Sequence, residues 1–372
     1  MMSDRKVRVL IVDDSAFMRN VLTRMIESNP QFEIVGKAVN GREAIEMVAQ
    51  LKPDVVTMDI EMPEMNGLQA LQYIMSSTPT PVVMVSSLTE SGTEATLKAL
   101  ELGAVDFIPK ALNDAEKNIF RSAGNVHSRL LTAAAAKVSA RAGSNAAVQV
   151  PQQQAVRKDS QPAAPAPTPR ATPQPASRPQ RFERAKILLI GSSTGGPRAL
   201  QDVLSGLPGN LRVPVVVVQH MPASFTGPMA NRLNDLCPLH VEEVKDGTLI
   251  QSGHIYVCPG GMQARVQKTD KGLMVKVQPD EGESLFKPSV EVMGQSVADA
   301  LGGDVLAVML TGMGSDGNKA FKRLRDAGAY VIAQDQATSV VYGMPKAVVD
   351  NGAAHEALPL GDIAAVISKL LS

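Results

Sequence analysis

The chain has 372 residues and a formal net charge of zero, and hydrophobic and charged residues make up 44% and 20% of it. This length favours two domains, and the composition is that of an ordinary globular protein. No apolar run approaches the roughly 18 residues of a membrane span, so we expect no membrane insertion. The N-terminus shows no signal-peptide pattern and the 2 cysteines are too few for a disulfide framework, so we expect a cytoplasmic protein.

Charge is distributed unevenly along the chain. Residues 1–127 and 185–372 carry net charges of −5 and −2, whereas residues 128–184 carry +7. The two parts that have globular composition are therefore not basic, although DNA-binding and RNA-binding domains usually are. This distribution argues against a nucleic-acid partner.

The excess positive charge lies in a segment that is unsuited to folding. From 143 to 180 there are eight prolines among Ala, Gln, Ser and Thr. Such a composition cannot bury enough apolar surface to offset the loss of chain entropy. We therefore predict a first domain over 5–122, a helical extension and disordered linker over 123–183, and a second domain over 184–372.

The first domain alternates short apolar runs with segments of helical periodicity. The runs are predicted to be strands at 7–12, 34–38, 54–59, 81–87 and 105–109. This alternation predicts a doubly wound (βα)5 fold with a parallel sheet between two layers of helices. In such sheets the functional groups gather beyond the carboxyl ends of the strands.

Hard oxygen donors and one lysine stand at these strand ends. They are Asp13 and Asp14 after the first strand, Asp59 after the third, Ser86 after the fourth and Lys110 after the fifth. Three converging carboxylates need a counter-ion, and Mg²⁺ suits oxygen donors that share it with phosphate. Asp59 can then attack a phosphoryl group whose oxygens Ser86 and Lys110 would hold.

The motifs DDS, DIEMPEMNG, SS and PK, in this order, resemble the receiver domain of bacterial response regulators over residues 7 to about 122. The resemblance implies a phospho-acceptor, a magnesium site that includes one backbone carbonyl, and a pair of switch residues. By this resemblance Asp59 is the phospho-acceptor. Asp13, Asp14 and the carbonyl of Glu61 hold the magnesium ion, and Ser86 and Phe107 are the switch residues. A histidine kinase is implied as the phosphodonor.

In the second domain a Gly-rich segment, GSSTGGP, joins the predicted strand at 186–191 to a helix. Such a turn can bind phosphate on its backbone N–H groups, but the glycine spacing of a dinucleotide site and the lysine of a P-loop are both missing. The segment also fits G-x-S-x-G across Gly191, Ser193 and Gly195. That pattern places a serine hydroxyl on a sharp turn beside helix N-terminal amides.

A histidine and an acid follow two further apolar runs. The run at 213–219 leads into His220, and the run at 305–310 leads into TGMGSDG, which presents Asp316. The alternation of strand and helix patterns predicts a second doubly wound α/β domain with a mainly parallel sheet. Ser193, His220 and Asp316 can then converge at one edge of this sheet. His220 would take the proton of Ser193, and Asp316 would orient and stabilise the imidazole. The candidates for the oxyanion site and cleft wall are Thr194, Met313 and Gly314.

Five motifs of the second half, GSSTGGP, VVVVQHMPASFT, IYVCPGG, VMLTGMGSDG and AQDQATSVVYGMPKAV, resemble the catalytic domain of the chemotaxis methylesterase family, CheB. The resemblance implies that Ser193, His220 and Asp316 are the catalytic triad. It also implies hydrolysis of glutamate γ-methyl esters on chemoreceptors, with release of methanol, and deamidation of specific receptor glutamines. The esterase step is expected to need no cofactor.

The order of receiver, tether and hydrolase suggests a control mechanism. We expect the unphosphorylated receiver to pack over the face that carries Ser193, and phosphorylation of Asp59 to uncover it. Two alternatives remain open: a second domain that binds a phosphorylated ligand at GSSTGGP, and a response regulator that acts through protein contacts alone. An organophosphonate that labels Ser193, but not in a His220→Ala variant, distinguishes the hydrolase from both.

Overall fold

The computed structural model describes residues 5–87, 89–110, 115–136, 138, 181–280, 282 and 284–371. The Pro-rich linker predicted within 143–180 lies outside these residues. The described residues form two doubly wound α/β domains, which confirms the predicted fold class. Among the described helices, none combines the length and the apolarity that crossing a bilayer requires.

The first domain contains five strands and five helices. The strands are β1 (Val7–Val12), β2 (Phe32–Ala38), β3 (Val55–Asp59), β4 (Val82–Ser86) and β5 (Asp106–Pro109). The helices are α1 (Ala16–Glu27), α2 (Gly41–Leu51), α3 (Gly67–Ser77), α4 (Glu90–Leu102) and α5 (Ala115–Ala134). The sheet is parallel in the order β2-β1-β3-β4-β5, and every predicted strand is present. The boundary predicted at residue 122 falls within α5.

The second domain begins with β6 (Ile187–Ser192), α6 (Gly196–Leu204), β7 (Val215–Gln219), α7 (Ala223–Leu236), β8 (His240–Glu243), β9 (Thr248–Leu249), β10 (His254–Val257), β11 (Gln263–Thr269) and β12 (Gly272–Gln278). It continues with α8 (Val290–Leu301), β13 (Val305–Met309), α9 (Asn318–Asp326), β14 (Tyr330–Gln334), α10 (Met344–Asp350), β15 (Glu356–Leu358) and α11 (Leu360–Leu371). Seven strands form a parallel sheet in the order β15-β14-β13-β6-β7-β10-β8, and β11, β12 and β9 form a small antiparallel sheet.

The order in which strands are added to the large sheet reverses at β6. From β6 the chain adds β7 and the edge strand β8, and then inserts β10 between them. It then returns to add β13, β14 and β15 on the other side of β6. All residues of β6, β7 and β13 are buried, as expected for strands that are covered by helices on both faces. The crevice beyond the carboxyl ends of strands at such a reversal is the usual ligand site of an open α/β sheet.

One face of the first domain, formed by α4, β5 and α5, packs against the second domain. The rings of Phe107 in β5 and Phe225 in α7 have centroids 4.3 Å apart. Glu101 in α4 forms an ion pair with Arg232 in α7. The two domains therefore meet through an apolar centre and a charged pair at its side.

Candidate active site

Ser193 lies directly after β6, in the tight turn that leads into α6. Gly195 in this turn has a φ of +77°, which residues with a side chain rarely adopt. The N–H of Gly196 donates to the carbonyl of Ser193 at 2.8 Å, and the N–H of Ser193 donates to the carbonyl of Thr311 at 3.0 Å. The turn thus fixes the predicted nucleophile at the rim of the sheet, where it is half-buried.

His220 and Asp316 form a buried pair beside this turn. The Nε2 atom of His220 lies 2.7 Å from Oδ2 of Asp316, and the two side chains are 9% and 5% exposed. The carboxylate also accepts hydrogen bonds from the hydroxyl of Ser289 and from the N–H groups of Val290 and Glu291, at 2.9, 2.6 and 3.2 Å. These donors form the start of α8, so the carboxylate caps the positive end of a helix.

The same contacts determine the ionisation of Asp316. Burial by itself would raise the pKa of this carboxyl, but the hydrogen bond and charge of His220 and the donors at the start of α8 lower it below its ordinary value of 3.8. Asp316 therefore stays ionised at neutral pH. An ionised acid in this position orients the imidazole and stabilises its protonated form.

An Asp316→Asn variant is expected to make the stability of the fold less sensitive to acid. Because the folded-state pKa of Asp316 lies below 3.8, its ionised form stabilises the folded state above that pH, and this contribution is lost as the pH falls through the folded-state pKa. Urea unfolding between about pH 5 and pH 2 should show a shallower decline for the variant. Equal slopes for the two proteins would contradict the assignment of a depressed pKa.

Phe286 is a site residue that the sequence did not reveal. Its ring stacks on the imidazole of His220, with centroids 4.2 Å apart and planes only 4° from parallel. Within the described part of the chain, Nδ1 of His220 is buried and has no hydrogen-bond partner. Nε2 is engaged by Asp316, so Nδ1 is the ring nitrogen left to act as a base. Ser193 lines the same cleft, but no hydrogen bond between the described residues joins its hydroxyl to His220.

The predicted oxyanion candidates do not all lie in this cleft. Thr194 and Met313 line it together with Ser193 and His220, whereas Gly314 is exposed outside it. The backbone N–H groups of Thr194 and Met313 make no hydrogen bond to another described residue. These two groups are therefore the better candidates for an oxyanion site.

The segment from 335 to 343 is hydrogen-bonded to the strand end that holds the Ser193 turn. The N–H of Gly312 donates to the carbonyl of Val341 at 3.1 Å, and the N–H of Val341 donates to the hydroxyl of Thr311 at 3.0 Å. The Thr311 hydroxyl is 3.0 Å from the carbonyl of Thr194, to which it donates. The segment therefore holds in place the strand end to which the Ser193 turn is bound.

The first domain covers the cleft that contains Ser193 and His220. The cleft has a volume of about 510 Å³, and Asp106, Phe107 and Arg129 of the first domain line it opposite Ser193. The hydroxyl of Thr194 donates to the Asp106 carboxylate at 3.0 Å, and Arg129 forms an ion pair with the same carboxylate. The expected packing of the first domain over the Ser193 face is therefore present in the structure.

The carboxylates of the first domain converge as predicted. Asp13, Asp14 and Asp59 each offer an oxygen within 4.8 Å of the others. The ammonium group of Lys110 lies 2.7 Å from Asp59 and 3.3 Å from Asp13. Burial raises the pKa of Asp59, although Lys110 acts in the opposite direction. Two buried acids and the exposed Asp14 around one lysine suit a bound divalent cation, and Glu61 follows in the loop after β3.

Ser86 and Phe107 occupy different surroundings. The hydroxyl of Ser86 lies 3.1 Å from the carbonyl of Gly92 and accepts from the hydroxyl of Thr96 at 2.6 Å, so it faces α4 rather than Asp59. Phe107 is 3% exposed and packs against Phe225 of the second domain. Of the predicted switch pair, Ser86 therefore lies at the end of the strand next to the one that carries Asp59, and Phe107 lies at the domain interface.

The fold and the site define a class of protein: a response regulator whose output domain is a hydrolase. Residues 9–118 match the family model described as response regulator receiver domain, and residues 188–367 match the model described as CheB methylesterase. Together the two matches span most of the described residues of both domains.

Relatives in other bacteria extend the similarity to almost the whole chain. A protein of Oleidesulfovibrio alaskensis named protein-glutamate methylesterase/protein-glutamine glutaminase 1 is 44% identical over 97% of this chain and 98% of its own length. A Bacillus licheniformis protein named protein-glutamate methylesterase/protein-glutamine glutaminase is 42% identical over 97% of both chains. The crystal structure of the Thermotoga maritima CheB methylesterase catalytic domain is 37% identical, with a TM-score of 0.49, and covers 50% of this chain and 98% of its own. The chain belongs to the CheB methylesterase family.

Proposed function

We propose that this chain is a phosphorylation-activated serine esterase that demethylates glutamate γ-methyl esters of chemoreceptors and deamidates specific receptor glutamines. One observation carries the proposal: the Ser193 turn and the His220–Asp316 pair follow three neighbouring strands in a chain that is similar over nearly its full length to methylesterase/glutaminases. The proposed receiver spans 5–122 and the proposed catalytic domain spans 184–372.

We propose that Ser193, His220 and Asp316 act as a catalytic triad. Ser193 attacks the ester carbonyl while Nδ1 of His220 takes its proton, and Asp316 stabilises the imidazolium. The tetrahedral intermediate collapses as His220 passes the proton to the departing methoxide, which leaves as methanol. Water then attacks the acyl-enzyme by the same route and releases the glutamate side chain. With a glutamine substrate the leaving group is ammonia, and neither reaction uses a cofactor.

The oxyanion of the tetrahedral intermediate needs hydrogen-bond donors fixed in advance. We assign this role to the backbone N–H groups of Thr194 and Met313, beside the N-terminus of α6. One such donor contributes about 3 kcal/mol to transition-state stabilisation in other enzymes. Gly314 lies outside the cleft, so we propose that it does not contact the substrate.

Phosphorylation takes place in the receiver, at Asp59. An oxygen of this carboxylate attacks the phosphorus of the donor, and Lys110 is placed to hold a phosphoryl oxygen. Mg²⁺, held by Asp13, Asp14, Asp59 and the carbonyl of Glu61, would offset the repulsion between carboxylate and phosphoryl group. The buried Oδ2 atom of Asp13 lies 3.3 Å from the ammonium group of Lys110, so a bound metal would share this oxygen with Lys110.

An Asp59→Asn variant, or removal of Mg²⁺ by EDTA, is expected to abolish activation by acetyl phosphate. The amide is a far weaker nucleophile than the carboxylate, and without the cation the charges of phosphate and carboxylate repel each other. Phosphate incorporation and methanol release should both stay at the level measured without phosphodonor. Excess Mg²⁺ should restore the EDTA-treated protein, but not the variant. Incorporation that persists in the variant would contradict the choice of Asp59.

Phosphorylation controls the esterase by moving the receiver off the cleft. The observation that supports this proposal is that Asp106 and Phe107, in the strand that leads to Lys110, line the cleft and contact Thr194 and Phe225. A phosphoryl group on Asp59 would draw the Ser86 hydroxyl away from α4 and give Phe107 a new packing position. Both changes disturb the face of the receiver that covers Ser193.

The proposed partners follow from the same chemistry. Chemoreceptors carry the substrate esters, and a histidine kinase supplies the phosphoryl group. The location that we propose is the cytoplasm, where such a kinase draws on ATP. Neither domain has a net positive charge, so we propose no nucleic-acid partner.

Methanol release from methylated receptor membranes tests the proposed function. Purified protein should release methanol, and acetyl phosphate should raise the rate. A chain that binds a phosphorylated ligand at the Gly-rich turn, or one that acts through protein contacts alone, releases none. Absence of methanol with a phosphorylated and folded protein would therefore overturn the proposal.

A further inference from the structure

We propose that Gln219 is a positioning residue of the esterase: its buried side-chain amide fixes the main chain of the nucleophile to that of the base. The inference rests on the function proposed above, because it concerns how Ser193 and His220 keep their relative positions. Gln219 is the last residue of β7 and is 2% exposed.

The side chain of Gln219 reaches three groups on two turns. Its Nε2 atom donates to the carbonyl of Ser193 at 2.9 Å and to the carbonyl of His220 at 3.1 Å. Its Oε1 atom accepts from the hydroxyl of Ser192 at 2.6 Å. A single amide therefore joins the two residues that exchange a proton in the proposed reaction.

The neighbouring backbone leaves room for this amide. Ser192 and Gln219 are paired across β6 and β7, which directs both side chains to the same face. A Cβ atom at Gly196 would lie only 2.0 Å from Oε1 of Gln219, so a side chain at this position would displace the amide. Three satisfied bonds and a glycine that accommodates them indicate a fixed conformation.

The arrangement predicts an effect on catalysis rather than on substrate binding. The polar atoms of Gln219 are occupied by main-chain carbonyls and the adjacent Ser192, so they are not available to the substrate. Without the two donors, the Ser193 and His220 turns are tied only through other backbone contacts. A misplacement of reacting groups by about 1 Å can lower a rate by about a hundredfold.

The test compares variants at three neighbouring positions. Gln219→Met keeps the length of the side chain but removes both donors. Gly196→Ala keeps Gln219 in the sequence but forces its side-chain amide to move. Ser192→Ala removes only the bond to Oε1 and keeps both donated bonds. For each protein, kcat and KM on methylated receptors are measured, together with the rate and final extent of Ser193 labelling by a fluorophosphonate.

Gln219→Met is expected to lower kcat and the labelling rate by about 10- to 100-fold, with KM unchanged within about twofold and a final labelling extent close to one per chain. Gly196→Ala should change the same quantities in the same direction. Ser192→Ala should stay within about threefold of the unaltered protein. The full final extent shows that the loss does not come from unfolded chains.

Three results would overturn the inference. They are an unaltered kcat and labelling rate in Gln219→Met, a loss confined to the final extent of labelling, and a loss in Ser192→Ala as large as that in Gln219→Met. The failure of the proposed function looks different, because the unaltered protein would then neither label at Ser193 nor release methanol.

Discussion

A Ser193→Ala variant is expected to lose at least about 10⁴-fold in the rate of methanol release, because it removes the atom that forms the acyl-enzyme. His220→Ala should lose a similar amount, since an unassisted serine hydroxyl is a weak nucleophile. The double variant should be no slower than either single one, because the residues act as a unit. The measurement is methanol release under acetyl phosphate activation.

Ser192→Ala is the matched control for this series. Ser192 is the adjacent hydroxyl, but it is fully buried and donates to Gln219. Its removal should leave most of the activity in place. A Ser193→Ala protein that still releases methanol at an appreciable rate, or additive losses in the double variant, would contradict a mechanism based on Ser193 and His220.

An Arg232→Glu variant is expected to raise the activity of the unphosphorylated protein. Arg232 in α7 pairs with Glu101 in α4, which holds the receiver against the catalytic domain. Reversal of one charge places two carboxylates together. Because the Arg232 side chain is 40% exposed, solvent screens part of the repulsion, and we expect a shift of roughly tenfold toward the open state.

The reciprocal exchange tests whether this effect acts through the interface. Glu101→Arg alone should also raise activity, whereas Glu101→Arg combined with Arg232→Glu restores an ion pair and should return activity toward its low level. Addition of acetyl phosphate should activate the double variant as it does the unaltered protein. A double variant as active as either single variant would show that the charges do not hold the domains together.

The sequence predicted the positions of the chemical groups because buried parallel strands are continuous apolar runs. A residue at or shortly after the end of such a run lies near the edge of the sheet, and on this basis Ser193, His220 and Asp316 are predicted to meet there. The order of the strands was not predictable in the same way. β13 pairs with β6 although more than a hundred residues separate them, and no local pattern indicates this pairing.

The sequence has no recognisable pattern for residues that act by orienting other side chains. Phe286 lies in a loop, and only the folded structure places its ring on His220. Gln219 ends an apolar run, but its role depends on the register that sets it beside Ser192. The hydroxyl of Ser86 was expected near the phosphoryl group, yet it faces α4, because the nearby Gly92 and Thr96 supply hydrogen-bond partners.

The domain interface was predicted as a general arrangement and not in its details. The order of receiver, tether and hydrolase suggested that one domain covers the other. The pair of Glu101 and Arg232 lies on the surfaces of two separate helices, where charged residues are common and carry no information about a partner. The ring contact of Phe107 and Phe225 likewise depends on how two independent folds meet.

Reaction of the full chain with a fluorophosphonate, followed by mapping of the adduct by mass spectrometry, tests the central claim most directly. We predict a single adduct at Ser193, formed faster after treatment with acetyl phosphate and Mg²⁺ and absent in His220→Ala. An adduct at another serine, or labelling of Ser193 that is independent of His220, would contradict the proposed hydrolytic site.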